Sequence, residues 1–215
     1  MSHAFELRGL YAITDSGFKA HAIEQQVQRA IAGGARVIQY RDKSDDAALR
    51  RAEASAILAV CRRAGVPLLI NDDVALAKQV GADGVHIGRD DGELTQARAA
   101  LGGEAIIGVS CYNQPQLAQQ ALAGGADYVA FGRFFSSQSK PEAVQADVPM
   151  LAAARAALNC PIVAIGGITP DNGRPLIQAG ADMLAVIRGV FAAPDVTAAA
   201  QAFAPLFDFS PETRP

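Results

Sequence analysis

Gly33-Gly34-Ala35-Arg36-Val37-Ile38-Gln39-Tyr40-Arg41-Asp42-Lys43 holds a helix end, a turn, an apolar strand and a charged strand end in one continuous run. The glycines suit a left-handed helix close, and the small residues let the chain turn directly into the next strand. If extended geometry persists to Lys43, the period of two turns Gln39, Arg41 and Lys43 to one side. Tyr40 and Asp42 then point to the surrounding shell. Unpaired charges are strongly disfavoured inside a core. This row therefore either faces an anion at the open end of a barrel or runs into a solvated loop, and the stretch alone leaves both readings open.

The helix-to-strand junction recurs. Gly81-Ala82-Asp83-Gly84, Gly124-Gly125-Ala126-Asp127 and Gly180-Ala181-Asp182 each stand between a helical pattern and an apolar run. Strands are expected at Leu10–Thr14, Arg36–Arg41, Pro67–Asn71, Gly84–Gly88, Ala105–Ser110, Tyr128–Gly132, Pro161–Gly166 and Met183–Arg188. These runs are rich in Val, Ile and Leu with little alternation, as expected for strands covered on both faces. Helices are expected near His21–Ala32, Asp45–Ala64, Val74–Val80, Leu94–Leu101, Gln114–Ala123, Met150–Leu158, Pro170–Ala179 and Asp195–Phe207, with Asp45 and Asp171 as helix-start residues. Eight strands alternating with eight helices over 215 residues indicate a single α/β domain spanning 1–215, a (β/α)8 TIM barrel. A doubly wound open sheet is the alternative. The absence of G-x-G-x-x-G after the first strand counts against it.

Composition narrows the function. Half the residues are hydrophobic and the formal net charge is −3, so there is no electrostatic case for nucleic acid or an anionic membrane. The cysteines Cys61, Cys111 and Cys160 are widely spaced and odd in number, which suggests reduced thiols and no structural zinc. His3, His21 and His86 form no cluster with metal-ligand spacing. No apolar run reaches the length of a membrane span. A cytoplasmic protein acting on small molecules is expected.

In a barrel the C-terminal strand ends carry the chemistry, and the polar residues gather there. They are Asp15, Gln39/Arg41/Lys43, Asn71/Asp72/Asp73, Asp90/Asp91, Ser110 and Ser136–Lys140, with Gly166-Gly167 after the seventh strand. Gly166-Gly167 and Ile187-Arg188-Gly189 occupy the usual place of a barrel phosphate site, or are simply tight turns. The hydroxyls and lysine of Ser136-Ser137-Gln138-Ser139-Lys140 suit phosphate oxygens, or belong to a plain polar loop. Asn71-Asp72-Asp73 and Asp90-Asp91 bring hard oxygen ligands to adjacent strand ends, as Mg²⁺ beside phosphates requires. One of Asp72 and Asp73 is expected to cap the helix from Val74 and the other to bind metal. His86 reads as a satisfied core or rim histidine rather than a catalyst, and Cys111 as no nucleophile.

These stretches in order resemble the thiamine phosphate synthase family over roughly residues 9 to 190. The matching segments are Tyr11–Asp15, Gln39–Lys43, Asn71-Asp72 with Leu76-Ala77, Gly84–Gly88 through Asp91, Gly108–Ser110, Gly132 through Lys140, and Ala164–Ile168. The resemblance implies a transferase that joins hydroxymethylpyrimidine diphosphate to a thiazole phosphate, giving thiamine phosphate and diphosphate, with Mg²⁺. It implies that Gln39, Arg41, Lys43, Asn71, Ser110 and Lys140 contact the pyrimidine diphosphate, and it counts Tyr40 and Asp42 of the Gln39–Lys43 segment among the substrate-binding residues. Asp72 and Asp91 would hold the metal. Ser137, Ser139, Gly167, Ile187 and Arg188 would surround the thiazole phosphate, and Gln138 is a further substrate-binding residue. Arg41, Lys43, Lys140 and Ser110 are the expected catalytic set, acting by electrostatic stabilisation and positioning as diphosphate departs, with no covalent nucleophile. The chain departs from the family pattern at Arg89, Arg133 and Arg188, where glutamine, proline and serine are common. The alternatives are a related thiazole tautomerase, which would want an acid/base histidine just after the fifth strand, and a non-catalytic phosphometabolite binder.

Overall fold

Short runs of β-branched and aliphatic residues pair best when both faces are covered, and that is how the strands of this chain are used. The computed structural model describes residues 5–15, 22–88, 94–136 and 144–208. Its strands are β1 (Gly9–Ile13), β2 (Ala35–Tyr40), β3 (Leu68–Asn71), β4 (Gly84–Ile87), β5 (Ile106–Tyr112), β6 (Tyr128–Phe131), β7 (Ile162–Ile165) and β8 (Met183–Val186). All pair in parallel and in chain order, with β8 returning to β1 to close a barrel. The helices are α1 (Ile23–Ala32), α2 (Ala47–Ala64), α3 (Val74–Val80), α4 (Leu94–Leu101), α5 (Pro115–Ala123), α6 (Val148–Ala157), α7 (Arg174–Gln178), α8 (Arg188–Phe191) and α9 (Val196–Gln201).

Strand parity divides the apolar residues into two cores. Tyr11, Ile13, Val37, Leu69, Ile106, Tyr128, Ala130, Val163, Met183 and Ala185 fill the barrel interior. Their neighbours, such as Ala12, Ile38, Tyr40, Leu68, Ile70 and Val85, pack outward beneath the helices. The residue that continues each inward row toward the strand C-terminus is therefore the one that reaches the mouth.

The Gly-Ala-Asp junctions do more than turn the chain. The left-handed residue is Gly34, Gly81, Gly125 or Gly180, the second glycine where two are adjacent. The aspartate that follows clamps the start of the preceding strand. Asp83 donates its N–H to the Leu68 carbonyl (3.0 Å) and accepts from the Leu68 N–H (2.8 Å). Asp127 does the same with Ile107 (2.8 and 2.7 Å), and Asp182 with Ile162 (2.8 and 2.9 Å). Arg98 of α4 and Arg155 of α6 hold Asp127 and Asp182 by ion pairs of 2.6 and 3.1 Å. These clamps sit at the barrel end opposite the polar strand ends. Asp182→Ala removes an acceptor from a backbone N–H and a carboxylate from Arg155, and is expected to cost about 2 kcal/mol. A lower urea midpoint with kcat unchanged is the expected readout.

Several boundaries differ from the sequence expectation. The cap of α2 is Asp46, whose carboxylate accepts from Leu49 N–H at 2.9 Å, and not Asp45. Helix α7 starts at Arg174 rather than near Pro170, and Asp171 does not cap it. Asn172 instead ties the loop back, accepting from Thr169 N–H (2.8 Å) and donating to the Gly167 carbonyl (3.0 Å). Eight residues after β7 are thereby spent on a braced turn at the barrel mouth. The chain expected to extend β8 to Arg188 winds instead into the short helix α8.

Candidate active site

The mouth of the barrel opens into a cavity of about 400 Å³ whose wall includes Gln39, Arg41, Asn71, His86, Ser110, Gly167, Ile187 and Arg188. Each strand contributes by the parity set below it. Gln39 follows Val37, Asn71 follows Leu69, and Ser110 lies two beyond Gly108 and four beyond Ile106, so all point inward.

Strand β2 ends at Tyr40, so the expected alternation does not carry through to Lys43. Gln39 and Arg41 line the cavity as expected. Arg41 is anchored by its backbone N–H to Thr14 Oγ1 (2.9 Å) and by its guanidinium to Asp15 (3.3 Å). Past the strand the chain turns. Lys43 lies in an adjoining depression with Asn71, Asp72 and Asp73, where its ammonium donates to the Asp72 carboxylate. Tyr40 belongs to the outer core and donates its hydroxyl to Glu53 of α2 at 2.7 Å. It does not line the cavity, which corrects its inclusion among the substrate-binding residues. Burial, with the Glu53 carboxylate beside it, raises the Tyr40 pKa far above the ordinary phenol value. Asp42 is 6% exposed and accepts from the Ser44 N–H at 2.6 Å. It shapes the turn and lines the depression rather than the main cavity.

Asn71, Asp72 and Asp73 divide three tasks. Asp73 caps α3 by accepting from Leu76 N–H at 2.8 Å, while its second oxygen holds Arg50 at 2.8 Å. Asp72 has φ of +63°, a left-handed conformation that turns its carboxylate toward Lys43 and the Asn71 amide, both of which donate to it. Among the described residues no group of three or more His, Cys, Asp or Glu side chains converges as a metal site. Of the described residues, the Asp72 carboxylate stands with the Asn71 amide at the edge of the cavity. That suits a hard cation taking most of its oxygens from a phosphorylated ligand and water, and not a protein-caged metal. Asp91, Ser137, Gln138, Ser139 and Lys140 lie outside the described residues.

The loops after β7 and β8 meet on the far side of the cavity. Gly167 has φ of +63°, and a Cβ there would stand 2.4 Å from the Ser136 carbonyl of the loop after β6, so only glycine lets the β6 and β7 loops approach. Helix α8 opens at Arg188, and Ile187, Arg188 and Gly189 at its start line the cavity. The arginines at 133 and 188, unusual for the resembled family, both line this side.

Tyr11 and His86 of the wall, and the buried Tyr128, had not been singled out as ligand contacts from sequence. Tyr11, Tyr128 and His86 are joined by hydrogen bonds to Gln39 and Ser110. His86 is satisfied at both ring nitrogens, as expected, but it stands in the cavity wall. Gly108 makes room for the tyrosine, since a Cβ there would lie 1.9 Å from the Tyr128 ring. The available signal was strand parity, because Tyr11, His86 and Tyr128 fall in the inward rows. Cys111 points outward into the core, and burial pushes its thiol up to about 12, which leaves it unsuited to nucleophilic work.

A family model described as thiamine monophosphate synthase matches residues 10–190. The thiamine-phosphate synthase of Thiobacillus denitrificans is 51% identical over 204 residues, covering 95% of this chain and 97% of that protein. That of an Azoarcus species is 52% identical over 201 residues, covering 94% and 98%. Among solved structures, the thiamine phosphate pyrophosphorylase from Pyrococcus furiosus superimposes with a TM-score of 0.86 at 31% identity, covering 94% of this chain and 96% of that one.

Proposed function

The chain belongs to the thiamine monophosphate synthase family and is a transferase that forms thiamine phosphate from small-molecule substrates; from that premise we propose how its own residues divide the reaction. The reading is carried by one observation. Gln39, Arg41, Asn71 and Ser110 converge on a single cavity from β2, β3 and β5, with Lys43 and Asp72 at its edge.

The pyrimidine diphosphate lies with its ring toward Gln39 and Ser110 and its diphosphate toward Arg41, Lys43 and Asn71. Lys140, outside the described residues, is assigned to the diphosphate by the family motif alone. Arg41, buried enough to act in a low-dielectric setting and tethered to Asp15, holds the phosphoryl oxygens as the carbon–oxygen bond breaks. Asp72 and Asp91 would hold Mg²⁺, which when bound would supply positive charge to offset that of the departing diphosphate. The thiazole phosphate occupies the opposite wall, its phosphate among Gly167, Ile187, Arg188, Ser137 and Ser139, with Gln138 in the same loop. That arrangement orients the thiazole nitrogen toward the exposed pyrimidine carbon, and orientation supplies much of the acceleration in such a two-substrate reaction. No general base is required, and the bonds of Ser110 to His86 suit it to positioning rather than attack.

A cytoplasmic setting accords with the three free thiols, and among the described residues no helix is long and apolar enough to cross a membrane. Incubation with both substrates and Mg²⁺, following diphosphate, tests the reading. Diphosphate released only when the thiazole phosphate is present supports the synthase. Thiazole isomerisation without diphosphate release would make the protein a tautomerase, and binding without either would make it a sensor.

A further inference from the structure

Five side chains from five different strands form one unbroken line of hydrogen bonds through the barrel. Gln39 Nε2 meets Tyr11 Oη at 2.6 Å, and Tyr11 Oη meets Tyr128 Oη at 2.9 Å. His86 Nδ1 lies 2.9 Å from Tyr128 Oη, and His86 Nε2 lies 2.9 Å from Ser110 Oγ. Tyr11 and Tyr128 are each 1% exposed and Gln39 is 2% exposed. The two ends, Gln39 and Ser110, line the cavity in which the pyrimidine is bound under the function proposed above. Such a line across a barrel interior is costly if any member is unsatisfied. A larger apolar core could have replaced it.

We propose that the line is a hydrogen-bond relay of fixed direction that sets how Ser110 presents its hydroxyl, which makes Tyr11, Tyr128 and His86 positioning residues for the transfer. The direction follows link by link from what each group can donate. The Gln39 amide nitrogen carries only hydrogens, so it donates to Tyr11. Burial raises both phenols well above their ordinary pKa, so each keeps its one proton. The Tyr11 O–H donates to Tyr128 Oη, the acceptor beside it, and the Tyr128 O–H donates to His86 Nδ1. The neutral imidazole then carries its proton on Nε2, because the bond at one ring nitrogen decides the tautomer at the other. Nε2–H donates to Ser110 Oγ, and the Ser110 proton is left for the ligand. The relay thus offers an acceptor, Gln39 Oε1, at one end and a donor, Ser110 O–H, at the other. An aminopyrimidine presents the complement, with a donating amino group and an accepting ring nitrogen. Were the Gln39 amide reversed, every link would reverse, His86 would carry its proton on Nδ1, and Ser110 would lose its donor role toward the ligand.

The tautomer is read by nitrogen NMR of protein labelled with ¹⁵N-histidine. The chain has three histidines, and His86→Gln identifies the relevant signals. The expected wild-type result is a protonated Nε2 and a bare Nδ1. Tyr128→Phe deletes the donor to Nδ1 and should give a mixture of tautomers, with kcat/KM for the pyrimidine diphosphate about tenfold lower, the loss of one hydrogen bond of about 1.4 kcal/mol. KM for the thiazole phosphate should stay unchanged. Tyr11→Phe, one link further away, should move both readouts in the same direction by less, and it carries the test if Tyr128→Phe does not fold. A wild-type ring protonated on Nδ1 overturns the relay, as does a folded Tyr128→Phe protein with wild-type tautomer and kinetics. The NMR result needs no turnover. Failure to release diphosphate would overturn the function reading alone and leave the relay to be judged by the ring nitrogens.

Discussion

Arg41→Ala is expected to lower kcat/KM for the pyrimidine diphosphate by about 10²- to 10³-fold, the loss found when a preorganised electrostatic donor is removed. The side chain is 18% exposed, lines the cavity, and has the Asp15 carboxylate beside it at 3.3 Å. Its removal leaves Asp15 partly solvated, with side-chain exposure of 23%, so folding stability should change little. Arg41→Lys should recover only part of the loss, because an ammonium cannot grip two phosphoryl oxygens with a planar fork. The adjacent Asp42 gives the contrast. It is buried and accepts the Ser44 N–H, so Asp42→Ala should lower the urea midpoint more than it lowers kcat at permissive temperature. Steady-state kinetics and urea titrations of the pair check this. An Arg41→Ala enzyme within threefold of wild type would remove Arg41 from the diphosphate site.

Asp72→Asn is expected to reduce turnover by about 10²-fold and to raise the Mg²⁺ concentration needed for half-maximal rate. Asparagine is the informative replacement, because it tolerates the left-handed backbone at φ +63° whereas alanine adds a backbone penalty. The substitution removes a charge from the oxygen that Lys43 and Asn71 both approach, so the loss falls on ion binding and on the placement of Lys43. Asp73→Asn serves as the neighbour control. Asp73 caps α3 and holds Arg50; asparagine keeps the cap and loses the partly exposed ion pair, so the replacement should cost about 0.5 kcal/mol of stability without altering the Mg²⁺ requirement. Identical Mg²⁺ curves for wild type and Asp72→Asn would take the metal away from Asp72.

Much of this site was legible because closely spaced residues in a barrel have few places to go. Asn71 and Ser110 sit in inward rows near strand ends, and period two delivers them to the mouth once the barrel is recognised. That one of Asp72 and Asp73 caps α3 was foreseen, but not which; the structure makes Asp73 the cap and turns the Asp72 carboxylate to Lys43 and Asn71. That choice depends on a left-handed φ at Asp72, which follows from how the turn after β3 meets Lys43. Lys43 itself was misread as part of the strand row, since the strand stops at Tyr40 once the chain leaves its pairing partner. The Gly-Ala-Asp repeat was read only as a turn signal, while its aspartates turned out to lock neighbouring strand starts.

The sequence by itself determined the strand order, the barrel class, the family and the residues that gather at the strand C-termini, because these depend on local periodicity and on motifs of a few adjacent residues. Only the tertiary structure decided that Gln39, Tyr11, Tyr128, His86 and Ser110 form one line. Residues 11 and 128 meet at 2.9 Å only because closure brings β1 and β6 face to face across the interior. The physical reason is that strand parity states which way a side chain points, while the partner it meets there is set by closure and register of strands far apart in the chain.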